Sequence, residues 1–158
     1  MILLDFSQEV LQKIKLLPFI ASISSVVFAA LISIQISKKR LAGIITMLVL
    51  LSSVTFTDFD TIAVYENFWV LFYIFSIYLI FKKPKFSSIF FILAIFSKAI
   101  IVLWLPVSIL ITLLSDLPKN KKIFVLTTHI IAIIISLIIF QYSDSVYQNV
   151  IDIEPSEF

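Results

Sequence analysis

The chain reads as a series of apolar runs cut by short charged stops. Over residues 1–15, Ile2, Leu3, Phe6, Val10, Leu11 and Ile14 fall mostly on one helical face and Asp5, Gln8, Glu9 and Gln12 on the other, the pattern of an interfacial N-terminal helix. Residues 16–37 are apolar and stop at Lys38, Lys39 and Arg40. A shorter run, 41–55, holds the single glycine, Gly43. An acidic turn follows, and the aromatic-rich run 62–81 then ends at Lys82, Lys83, Pro84 and Lys85. Residues 86–117 are apolar apart from Lys98, Asp116 and a few hydroxyls, and give way to Lys119, Lys121 and Lys122. The last apolar run is 123–142, and 143–158 forms an acidic tail with Asp144, Asp152, Glu154 and Glu157.

These runs are too long and too evenly apolar for the alternating strands of a barrel, and in lipid a helix satisfies its own backbone hydrogen bonds. The expected fold is therefore all-α, a polytopic transmembrane bundle over residues 16–142 with about six spans. The 86–117 stretch decides that count. Its 32 residues make about 48 Å of helix, too much for one crossing and short of two full ones, so it predicts a hairpin of two short helices turning between Lys98 and Pro106.

Composition agrees with the pattern. The chain is 61% hydrophobic with 16 Phe in 158 residues, and its mean hydropathy is +1.13, more apolar surface than a small soluble domain buries. It has no cysteine, which excludes disulfides and thiolate metal sites. The opening does not read as a cleaved signal peptide, because Asp5 and Glu9 precede the first apolar run and no small-residue cleavage site closes it. The basic residues cluster at run boundaries and not on one face, so nucleic acid is not an expected partner.

Nine of the twelve Lys and Arg lie in the three basic stops. If both termini are extracytoplasmic and 86–117 crosses an even number of times, all three stops fall on the cytoplasmic side, as the positive-inside rule requires. The expected location is the cell membrane, multi-pass.

Few residues carry chemistry. Asp58 and Asp60 are spaced i, i+2, which in an extended segment points both carboxylates to one side, where they could hold a divalent cation, Mg or Mn. Glu66 lies about one turn inside its span, with Tyr65, Trp69 and Tyr73 near it in sequence. Lys98, costly at mid-membrane, belongs at the outer tip of the hairpin, as a snorkelling anchor or as a phosphate ligand. His129, alone among the spans, is expected to hydrogen-bond to a neighbouring helix. No Gly-rich phosphate loop and no H-E-x-x-H motif is present.

The order of these parts, span, basic run, short span, acidic turn, aromatic span with an early Glu, basic run, then a hairpin with a Lys and a Pro, resembles the membrane core of GT-C type glycosyltransferases. SSVTFTDFDTIAVY is similar to the second acidic motif of oligosaccharyltransferase catalytic subunits. The resemblance covers roughly residues 16–117. It implies transfer of a sugar from a polyprenyl-phosphate donor at the outer membrane face, with Asp58 and Asp60 as metal ligands; an alternative alignment, to the wider lipid-linked sugar transferases, matches Glu66 opening the helix and Lys98 in the hairpin, both at the substrate. The chain departs from the family in having no large loop after a first span and no C-terminal soluble domain, so the expectation is a partial or shortened core, a fragment or a non-catalytic relative included. The rival expectation is a small structural or accessory subunit that packs against a membrane protein partner and has no chemistry of its own.

Overall fold

The structure is a computed structural model and describes residues 2–54 and 66–151, with side chains described over 16–54 and 67–142. Helices are the only regular elements among the described residues. Six α-helices follow in order: α1 (Ile2–Ser37), α2 (Arg40–Ser52), α3 (Glu66–Lys82), α4 (Pro84–Ser97), α5 (Leu105–Leu114) and α6 (Lys119–Ile151), with a 3-10 helix, Ala99–Trp104, joining α4 to α5. Two segments, Leu16–Ser37 in α1 and Lys119–Tyr142 in α6, are long and apolar enough to cross a membrane; the other helices are shorter apolar ones.

The breaks fall where charge and proline interrupt the apolar runs. Lys38 closes α1 in the left-handed region (φ 58°), its N–H donating to Ile34 O at 2.9 Å. Pro84 sits in the first turn of α4, where its missing N–H costs nothing. Lys98 is extended (φ −158°, ψ 114°) and divides 86–117 as its length requires, and Pro106 lies in the first turn of α5. Two edges of apolar runs are not helix ends. α1 runs unbroken from the interfacial segment into the first apolar run, with Pro18 inside it, and α6 continues past Tyr142 to Ile151.

Contacts along the helices fix their directions. Asn67 lies by Pro18 and Phe75 by Phe28, so α3 runs parallel to α1. Tyr73 meets Trp104, while Phe81 shares a cavity with Ile111 and Leu114, so α5 is parallel to α3. Ser88 faces Thr128 and Phe96 faces Phe140, which makes α6 parallel to α4. α2 turns back on α1, with Met47 and Val27 lining one groove. The six helices thus alternate in direction, and the three basic stops come together at one end: Lys38 pairs with Asp116, and Lys83 and Lys85 line a cavity with Lys121. Lys98 lies at the other end of α4.

α3 is the centre. Asn67 through Phe81 are all buried or half-buried, whereas α2 buries Gly43 alone. The interior is rich in small hydroxyl residues, Ser25, Ser76, Ser87, Ser108, Thr112 and Ser136 among them, while large apolar side chains such as Leu48, Leu103, Ile138 and Leu114 face outward. Small residues allow close backbone approach, and their hydroxyls cross-link helices. In the long apolar segments of α1 and α6, 33% and 22% of the most apolar window is buried, far from the near-complete burial of a soluble core helix.

Candidate functional site

Two polar assemblies lie inside the bundle. The first joins α3, α4 and α6. Ser76 Oγ donates to Ser87 O at 2.8 Å and Ser87 Oγ donates to Ser76 O at 2.9 Å, a reciprocal pair across the tight α3–α4 turn. On the far side of Ser87, His129 Nε2 stands 3.5 Å from the hydroxyl, and its Nδ1 lies 2.8 Å from Val125 O. A carbonyl only accepts, so Nδ1 carries a hydrogen; Nε2 faces Ser87 Oγ, whose single hydrogen can point to Ser76 O or to the ring. The ring packs on Phe91 at 4.6 Å and is 1% exposed. At the adjoining positions, Ser88 Oγ donates to Thr128 Oγ1 at 2.5 Å. Every buried side-chain N and O among the described residues has a partner. This assembly is sealed and satisfied, and it acts as glue between helices, the role expected for His129.

The second assembly lies at the end opposite the basic stops. Lys98 stands at the break after α4, half-buried, with Nζ 5.8 Å from the centroid of the Trp69 ring on α3. That distance is within cation–π range. Tyr73, one turn along from Trp69, donates its hydroxyl to Trp104 O at 3.0 Å, receives the Ser108 hydroxyl at 3.3 Å, and packs against the Trp104 ring at 6.0 Å. Asn67 Nδ2 donates to Pro18 O at 3.3 Å, tying the start of α3 to α1. The sequence placed Lys98 at the tip of a hairpin; the fold adds Trp69 as its neighbour, a pairing between residues far apart in the chain.

Asp58 and Asp60, the expected metal ligands, lie outside the described residues. Glu66 opens α3, and its side chain also lies outside them. The described chain leaves at Val54 and resumes at Glu66, three residues before Trp69. Among the described residues, no group of three or more His, Cys, Asp or Glu is positioned for a metal ion.

At the basic end, Lys38 Nζ donates to Asp116 Oδ2 at 2.6 Å, with both side chains largely exposed. The hydrogen bond from Lys38, and then its charge, hold the Asp116 carboxyl below its ordinary range. Lys122 Nζ donates to Leu113 O at 2.6 Å and so caps the end of α5. Sequence reading missed the Lys38–Asp116 pair, whose one signal was that Asp116 is the sole acid among the three basic stops. Comparison with protein families, with characterised proteins and with solved structures finds no match to this chain.

Proposed function

We propose that the chain is a multi-pass protein of the cell membrane, with about six spans, whose Lys98 end binds a polyprenyl-phosphate-linked sugar in the manner of a GT-C type glycosyltransferase core. The alternating helices, the gathering of the basic stops at one end and the outward-facing Leu and Ile support the membrane reading, with both termini extracytoplasmic. Lys98 beside the Trp69 ring is the observation that carries the substrate class. An ammonium meets a phosphate, and the aromatic and apolar side chains around it suit an isoprenoid chain, so the pair matches the two halves of such a donor.

Asp58 and Asp60 precede α3 in the chain, and a donor set of two carboxylates suits a hard cation, Mg or Mn, that takes its other ligands from phosphate oxygens and water. Such an ion, when bound, would polarise the phosphate leaving group. Lys98 would hold the lipid phosphate, and Glu66 would border the sugar. The experiment is native mass spectrometry of the full chain in mild detergent. A retained polyprenyl-phosphate lipid, lost in Lys98→Gln and weakened in Asp58→Asn and Asp60→Asn, is the expected result. Retention unchanged in Lys98→Gln overturns the site.

A second reading, an accessory subunit of a larger membrane complex, is favoured by α2, which leaves Leu41, Ile44, Ile45, Leu48, Val49 and Leu51 exposed along a single short helix. A stoichiometric protein partner in the same spectra, without a polyprenyl lipid, would select it.

A further inference from the structure

The α3–α4 turn and the first turn of α6 border an open cavity of about 320 Å³ at the basic end. Its polar lining is Lys83, Lys85, Lys121 and Asn120, and its apolar lining is Pro84, Phe86 and Phe124. Neither α4 nor α6 has an acid in its first turn, and the ion pair among the described residues, Lys38–Asp116, uses none of these lysines. Three positive charges are therefore gathered from two stops that lie far apart in the chain, with no carboxylate between them. Phe86 and Phe124 are 51% and 44% exposed and lead onto the outward-facing Ile89 and Ile123 of the same helices.

We propose that this cavity holds the headgroup of an anionic phospholipid, its phosphodiester among Lys83, Lys85 and Lys121 and its acyl chains along Phe86 and Phe124. The lysines alone would suit any phosphate. The adjoining apolar wall selects an anion that brings hydrocarbon with it, and basic cavities between membrane helices bind acidic headgroups for this reason. The proposal rests on the membrane reading and is independent of the Lys98 site, so a failure to find a polyprenyl lipid leaves it standing.

The test uses native mass spectrometry on the full chain titrated with phosphatidylglycerol or phosphatidylcholine. The wild type is expected to retain phosphatidylglycerol preferentially. Each lysine near an acidic headgroup contributes roughly fivefold at low ionic strength, so K83Q/K85Q/K121Q should lower that preference at least about tenfold. These three side chains are exposed, and their exchange leaves the core untouched. A control, K39Q/R40Q/K119Q, removes the same charge from the same end outside the cavity and should retain the preference within about twofold. Equal losses in the two variants would reduce the site to general charge attraction and overturn the proposal. Equal retention of the two lipids by the wild type overturns it as well, and displacement of phosphatidylglycerol by inorganic phosphate would assign the cavity to a soluble anion.

Discussion

The α3–α4 hairpin and the α1–α2 hairpin are made from similar apolar residues and held together by different means. α3 and α4 share a reciprocal serine pair, and α4 then meets α6 through His129, Thr128 and the buried Phe91 ring. α1 and α2 meet through the absence of a side chain. A Cβ placed on Gly43 would lie 2.6 Å from Ile34 Cδ1 and 3.2 Å from Ala30 O, and the one side-chain hydrogen bond between these two helices among the described residues is Thr46 Oγ1 to Ser33 Oγ at 2.8 Å. Where apolar burial offers no preference for one helix pairing over another, packing and a few hydrogen bonds set the fold. The first hairpin uses both and is the centre of the bundle; the second relies on close approach and leaves α2 at the periphery.

The contrast predicts unequal responses to mutation. The largest belongs to Phe91, fully buried between α3 and α6: Phe91→Ala should destabilise the bundle by about 3 kcal/mol or more in a detergent unfolding titration, while Leu48→Ala on the outer face of α2 should barely register. Gly43→Leu comes next. Overpacking of about 1–3 kcal/mol should separate α2 from α1 and leave α3–α4 intact, which limited proteolysis would read as selective cleavage within the α1–α2 hairpin. Ser87→Ala removes the hydroxyl shared with Ser76 and facing His129, and at about 0.6–2 kcal/mol it should lower the melting temperature less than Phe91→Ala does.

The smallest effect is at the surface. Asp116 is depressed by Lys38, so its contribution to stability is complete above the ordinary carboxylate range near about pH 4 and fades as pH falls below it. Asp116→Asn should remove that acid-side loss and change little at neutral pH, because both partners are exposed. An acid transition unchanged in Asp116→Asn would assign it to another group.

The fold was legible wherever charge or proline met an apolar run. Lys38, Lys83 and Lys98 mark helix ends, and the length of 86–117 called for a turn between Lys98 and Pro106, the segment in which α4 gives way to the 3-10 helix. Pro18 ends no helix: α1 continues through it. Beyond Tyr142 polarity rises, yet Ser143 to Ile151 remain helical, since polarity marks the edge of an apolar run and not the end of a helix. Lys98 could be assigned to the far end from charge cost alone. Its neighbour Trp69 could not, because their proximity depends on α3 and α4 running antiparallel in one register. The serine pair was equally hidden, since a serine within an apolar run reads the same whether it faces lipid or another helix.

The proposed topology puts all three basic stops on one side of a membrane and Lys98 on the other. The chain has no cysteine, so single cysteines report without background. Cysteines replacing Lys39, Lys85, Asn120 and Ala99 one at a time, all exposed positions, should be probed with a membrane-impermeant thiol reagent in sealed, oriented vesicles. The first three should label from one side and the fourth from the other. Labelling of positions 39 and 120 from opposite sides, or of 99 from the same side as 85, would contradict that topology.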